Sequence, residues 1–302
     1  MLSHVAIPPP VSAPGVSLPL VIMSEEQNQH FPKPPRRKRN LVLSLRSWLL
    51  GQYRELVAAV SFLTVLPIPG RTRLFESADA APPLLAGSAY FPLVGLLLGL
   101  LLWLLVLAFT PLVPQLVLAG LLVVAPVLLT GGLHLDGLMD TSDGLFGGTT
   151  RERKLEIMRD SRVGSFGVLS WACVLLLKFA LFASLRERSL PLALLVTLPS
   201  ARWAMVLALR IFPSARSTGL GAAFHQAVTT KGLVMASVVV LIIVLIAGQW
   251  IGLIVWATTS VTTLALGFWI TRSIGGLTGD SYGAIEEVME VVALLVLVMV
   301  RA

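Results

Sequence analysis

LLAGSAYFPLVGLLLGLLLWLLVLAFT, residues 84–110, runs without a single Asp, Glu, Lys or Arg. A helix of about 20 such residues, rising 1.5 Å each, crosses the roughly 30 Å hydrocarbon core of a bilayer. Six further apolar runs follow, at 112–133, 163–185, 190–212, 232–249, 251–271 and 284–300. The 302-residue chain is 56% hydrophobic and only 13% charged, the latter about half the ~25% of soluble domains. A soluble globule of this size could not hide that much apolar surface, and a disordered chain would carry more charge. The runs do not alternate, which argues against a transmembrane β-barrel. The sequence therefore predicts an all-α polytopic membrane helical bundle with about seven transmembrane helices. Very short turns at Pro111–Pro114 and Gly248–Trp250 join two antiparallel pairs.

The N-terminal part reads differently. Prolines 8, 9, 10, 14 and 19 break any helix, and Lys33 to Arg39 form a polybasic cluster. A signal peptide carries its charge before its apolar stretch, whereas here the charge follows. Residues 1–45 are thus expected to be a disordered basic extension able to lie on anionic lipid, ahead of a membrane-embedded catalytic domain at 46–302. Residues 47–69 are amphipathic, interrupted by Arg54 and Glu55 and ended by Pro67 and Pro69. That pattern suits a short re-entrant or interfacial helix. The net charge of +7 is explained by loop charges that orient the bundle rather than by nucleic acid. Arg71 and Arg73, Arg151 to Arg162, Arg216, Lys231 and Arg272 would share one face, which makes that face cytoplasmic. The single cysteine, Cys173, permits no intrachain disulfide.

Acidic residues concentrate on the same face. In GGLHLDGLMDTSDG, residues 131–144, Asp136, Asp140 and Asp143 fall at i, i+4 and i+7, one face of a helix. Three carboxylates there repel one another unless a cation bridges them. Hard oxygen ligands with room for water suit Mg²⁺, which binds one or two carboxylates together with substrate phosphate. In RERKLEIMRDSRVG, residues 151–164, Arg159 and Arg162 can grip phosphate oxygens bidentately. In GGLTGDSYGAIEEVME, residues 275–290, a glycine-rich turn feeds an apolar helix, and backbone N–H groups near Thr278 and Gly279 could cradle an anion. Asp280 and Glu286 suit helix capping, whereas Glu287 and Glu290 enter the membrane, where carboxylates are costly and so functional. His134 and Asp160 are secondary candidates for acid–base work. Arg202, inside an apolar run, needs a buried partner and is expected to face the polar cavity and bind substrate. Together these residues point to a membrane-level site for Mg²⁺-assisted phosphoryl or nucleotidyl transfer onto a hydroxyl.

At these segments the chain resembles the cobalamin 5′-phosphate synthase family, the adenosylcobinamide-GDP ribazoletransferases. The likeness spans roughly 58–300 and includes FLTVLP (62–67) and YFPLVG (90–95). It implies an integral inner-membrane, Mg²⁺-dependent enzyme in which α-ribazole, or its 5′-phosphate, attacks adenosylcobinamide-GDP and GMP leaves. It implies Asp136, Asp140 and Asp143 as Mg²⁺ ligands and Arg159 and Arg162 on the GDP phosphates. Asp280, Glu287 and Glu290 would supply a second carboxylate cluster, and Asp143, then His134, would serve as general base. The chain could act alone or as a homo-oligomer. Two other readings are open. Asp140-Thr-Ser-Asp143-Gly144 matches the opening of the CDP-alcohol phosphatidyltransferase motif, but its remainder is missing. A cation transporter would place acids deep in the spans, and the interiors of 84–110, 112–133, 163–185, 190–212 and 232–271 contain none.

Overall fold

The computed structural model describes residues 41–68 and 87–301; the extension at 1–40 and the basic residues at 71–73 lie outside them. The described residues form ten α-helices and no strand: α1 Leu41–Leu63, α2 Phe91–Phe109 (entered by a 3₁₀ turn, Ser88–Tyr90), α3 Gln115–Thr130, α4 Leu133–Gly147, α5 Arg151–Ile157, α6 Ser165–Ser184, α7 Leu190–Ile211, α8 Leu220–Ala227, α9 Thr230–Ile274 and α10 Gly279–Arg301. The chain is an all-α membrane bundle. The helix α1 covers 47–63 of the predicted amphipathic segment and begins earlier, at Leu41, so that 41–45 are helical rather than part of a disordered extension. It exposes Trp48, Leu49, Leu50 and Tyr53 and buries Val57, Ala58, Ala59 and Leu63.

At the centre stands α7, packed by α2, α9 and α10. It buries Leu194, Val196, Ala201, Ala204, Val206 and Ala208 on several faces, as a helix apolar all round requires. The surrounding helices show the opposite pattern. Leu104, Leu116, Leu128, Leu176, Ile246 and Phe268 all point outward and exposed, a continuous apolar coat that only lipid would tolerate.

Four helical stretches are long and apolar enough to cross a membrane: 88–109, 165–184, 187–211 and 230–274. The pair α3–α4, bent by 91°, makes a fifth if taken as one broken span. This falls short of the seven expected, for two reasons. The first half of α10 carries Asp280, Glu286, Glu287 and Glu290, which lowers its hydropathy. The 45 residues of α9 also double back. Gln249 has non-helical angles (φ 51°, ψ −134°), and Gly252 lies against the Val244 carbonyl. In a straight helix those residues would stand about 12 Å apart. Both ends of α9 accordingly meet the same end of the bundle: Arg210 Nη2 donates to Thr230 Oγ1 (2.9 Å) and Lys154 Nζ to Ser273 Oγ (2.6 Å).

The connection between the second and third apolar runs, 134–162, is mostly helical, as the shared face of its three aspartates requires. It contains α4 and α5, and this positions the site. The bend before α4 rests on Gly131 and Gly132, at φ +65° and +73°, angles that residues with a Cβ rarely adopt. From there α4 runs antiparallel along α10. The contact is close because Gly137 has no side chain: a Cβ there would sit 2.7 Å from the Asp280 carbonyl oxygen.

Gly137→Leu is therefore expected to prise α4 from α10 and cost about 1–3 kcal/mol, as overpacking does. Gly147→Ala, where the nearest atom to an added Cβ is 3.7 Å away, should be neutral. Thermal unfolding midpoints in detergent distinguish them; an unchanged midpoint for Gly137→Leu would show that the two helices do not meet there.

Candidate active site

The aspartates of α4 share one face, and its neighbours divide them. Asp143 leans toward α6. It is buried, and its Oδ2 and Oδ1 accept the Gly164 and Gly167 N–H groups at 2.8 Å each. Asp143 thereby caps the N-terminus of α6 from outside that helix, satisfying donors that have no intrahelical partner. It is a positioning residue; an oxygen so engaged is poorly placed to take a proton. Asp140 is half-buried and feels the charges of Asp136, Asp280 and Asp143 against Arg216. Asp136 is exposed. On the α10 side, Asp280 is half-buried; its Oδ2 accepts from Thr278 Oγ1 (3.2 Å) and faces Arg216 Nη1 (3.8 Å). Thr278 is itself buried in the cap of α10, exchanging hydrogen bonds with Ser281, so its hydroxyl is committed, while Gly279 is exposed. Asp136, Asp140 and Asp280 thus form a half-open carboxylate shelf. Their hard oxygens are of the type Mg²⁺ takes, and they stand farther apart than a closed set of ligands within 4.8 Å, spacing that an ion keeping several of its own waters would need.

Arg216 reaches this shelf through backbone pairing. Leu277 N–H donates to the Pro213 carbonyl (2.8 Å) and its carbonyl accepts from Ala215 N–H (2.9 Å), which fixes the 213–216 turn beside α10. Arg216 Nη2 then donates to the Leu155 carbonyl (3.2 Å). Beyond it opens a cleft of about 360 Å³ whose charged lining is Arg151, Arg159 and Arg216 with Glu152 and Glu156, beside Ser217 and Thr218. Arg151 holds it together by donating from Nε to the Ile274 carbonyl (2.9 Å) and from Nη2 to the Ala215 carbonyl (3.0 Å). Of the predicted pair, Arg159 lines this cleft. Arg162 instead turns onto Asp160, with Nη2 to Oδ2 at 2.7 Å. The hydrogen bonds from Arg162 hold the Asp160 carboxyl down at about 2. An exposed, fully ionised Asp160 shuttles no proton near neutral pH.

The remaining candidates lie deeper, in a separate cluster. Glu286, Glu287 and Glu290 are buried with Lys178 of α6, Arg202 of α7 and His134 of α4. Lys178 Nζ donates to Glu287 Oε2 and Glu290 Oε2, both at 2.6 Å. Arg202 Nη1 meets Glu286 and Glu290, and His134 Nδ1 lies 3.4 Å from Glu286 Oε2. Glu287 and Glu290 therefore give their oxygens to two cations rather than to a metal shared with the aspartates. Arg202 and His134 are likewise enclosed, out of a substrate's reach. His134, Glu286 and Glu287 do bring ligand atoms within 4.8 Å of one another, but Lys178 and Arg202 already supply the positive charge there. The structure adds Lys178, Glu286 and Arg216 to the residues that matter. Lys178 had one legible signal, a lone charge within an apolar run.

A family model for cobalamin-5-phosphate synthase matches residues 55–298, which contain every one of these residues. The chain belongs to the cobalamin-5-phosphate synthase family. Among similar proteins, an adenosylcobinamide-GDP ribazoletransferase of Roseiflexus sp. (strain RS-1) is 43% identical over 254 residues, 84% of this chain and 92% of the relative. One of Desulfitobacterium hafniense (strain Y51) is 40% identical over 247 residues, 80% and 95% of the two chains. No solved structure matches.

For this family member, removing one partner of the inner cluster strands a buried charge. Lys178→Met is expected to cost about 3–5 kcal/mol, read as a lowered unfolding midpoint. Adding Glu287→Gln should recover part of that loss. Equal midpoints for Lys178→Met and the parent would contradict the pairing.

Proposed function

We propose that this chain is an adenosylcobinamide-GDP ribazoletransferase of the inner membrane, with its site on the cytoplasmic face. The hydroxyl of α-ribazole, or of its 5′-phosphate, forms a bond to the phosphorus next to adenosylcobinamide. The pyrophosphate P–O bond breaks, GMP departs and the hydroxyl proton is given up. The observation that carries this reading is the carboxylate shelf placed directly beside the arginine cleft, with Arg216 belonging to both. Names of relatives covering four-fifths of the chain point the same way.

The residues present suit Mg²⁺, with Asp136, Asp140 and Asp280 as the oxygens that would hold it. When bound, the ion would neutralise phosphate charge and, as a Lewis acid, polarise a phosphoryl oxygen. The chain's own groups do the rest. Arg159 and Arg216 present planar donors to the pyrophosphate, which fixes its direction relative to the shelf. Arg151 braces the cleft through main-chain carbonyls. Asp143 holds α4 to α6, so the aspartate face cannot rotate away. The sidedness follows from charge: Arg151, Arg153, Lys154, Arg159, Arg162, Arg216 and Arg272 gather at the end bearing the site, and Lys and Arg favour the cytoplasmic side. Lipid is the partner of the exposed apolar coat.

Purified protein in detergent should release GMP from adenosylcobinamide-GDP and α-ribazole, and no CMP from CDP-diacylglycerol. CMP release would favour the phosphatidyltransferase alternative. Asp140→Asn is expected to reduce turnover at least ~10²-fold, the scale of losing one preorganised electrostatic group, and to alter the Mg²⁺ requirement. Unchanged activity at low Mg²⁺ would remove Asp140 from the ligand set. Because Asp160 stays ionised from about pH 4 upward, Asp160→Asn should leave the shape of the pH–rate profile between pH 5 and 9 unchanged. A lost limb in that profile would reinstate Asp160 as a proton carrier.

A further inference from the structure

We propose that the acceptor nucleoside binds on the opposite side of the aspartate shelf from the arginine cleft, in an apolar groove where Trp171 packs on its base. This deepens the transferase reading and rests on it. The groove, about 660 Å³, lies between the end of α1, the α3–α4 bend and α6. That volume is within the ~300–1,000 Å³ of small-molecule sites. Its charge is what marks its occupant. Among its lining residues Asp136 is the only charged one and there is no Lys or Arg, whereas the other cleft sets three arginines against Glu152 and Glu156 and keeps a net positive charge. A pyrophosphate therefore belongs in the arginine cleft, and a neutral ring system in the groove.

The polar groups of the groove narrow the chemistry further. Thr64 and Thr130 spend their hydroxyls on the carbonyls of Val60 (2.7 Å) and Pro126 (2.9 Å). Ser61 Oγ is enclosed, without a partner, so among the lining side chains the Asp136 carboxylate is the polar group left to meet a ligand. A purine or pyrimidine buried here would lose hydrogen bonds along its edge. A fused ring with a single polar edge atom, such as a benzimidazole with its one free ring nitrogen, loses least. Recognition must then come from ring faces. Phe62 is already engaged, its centroid 4.6 Å from Phe224 and 6.2 Å from Phe91. Trp171 is 40% exposed and stands one turn beyond Gly167, the residue clamped by Asp143. Of the two aromatic side chains that line the groove with Asp136, it is the one outside the Phe62–Phe91–Phe224 cluster. A ribose attached to that base would bring its hydroxyl to Asp136, beside Asp140 and the shelf.

The test uses the full chain and reads each substrate separately. Trp171→Ala should raise KM for α-ribazole roughly tenfold, the scale of one base–aromatic stack, and leave KM for adenosylcobinamide-GDP within about twofold. Trp171→Phe should restore most of the difference, and Arg216→Ala should show the reverse split. Calorimetric titration of α-ribazole alone, with no second substrate, should show binding to the parent and to Arg216→Ala, weakened about tenfold in Trp171→Ala. The placement is overturned if both KM values move together, if α-ribazole binding ignores Trp171 (as it would if lipid fills the groove), or if Arg216→Ala weakens α-ribazole instead. Absence of GMP release by a parent that still binds α-ribazole through Trp171 would sink the transferase reading and spare the groove.

Discussion

Three glutamates in the first turns of α10 could not be buried in an apolar bundle on their own, and this desolvation problem organises the fold. Taking an ion out of water costs several kcal/mol even after relaxation. Lys178 and Arg202 offset that cost from two different helices, α6 and α7, at separations of 109 and 88 residues along the chain. His134 adds α4. The cluster therefore ties four helices at one depth. Packing among leucines alone specifies register weakly in lipid, because a lipid tail is as apolar as a leucine. The ion cluster supplies that register, and with it the height at which the aspartates of α4 emerge beside α10.

How much of this could be read from the chain follows from the range of each interaction. The apolar runs and the shared face of Asp136, Asp140 and Asp143 are local periodicities, so they were legible. The reversal near residue 249 was also legible, from Gly248-Gln-Trp250 between two apolar runs, and Gln249 supplies the break. The helical spacing within 134–162 was legible too, but the packing of α4 along α10 was not, because it rests on Gly137 and Gly283 letting two distant segments approach. The partners of Glu287, Glu290 and Arg202 were hidden for a different reason. Ion pairs between residues a hundred positions apart leave no spacing to detect. Arg216 looked like an orientation charge and only the pairing of Leu277 with Pro213 and Ala215 brings it to Asp280.

The two acidic clusters have the same number of carboxylates and opposite consequences. In the inner one, three glutamates meet two fixed cations and a histidine within an enclosed space of about 20 Å³, so charge is nearly matched and there is room for little more than a water. In the outer one, Asp136, Asp140 and Asp280 meet Arg216 alone, 3.8 Å from Asp280, and stand half-open. Mutual repulsion among three carboxylates with one guanidinium leaves a deficit of positive charge. A cation bound there, as proposed above, would supply it and would in turn attract the phosphates that the arginines of the adjoining cleft would orient. The inner cluster, being closed, sets position; the outer, being short of positive charge, is the one able to do chemistry. Asp143 belongs to neither: with both oxygens bound by backbone N–H groups, it keeps α4 from turning its deficit away from the substrate.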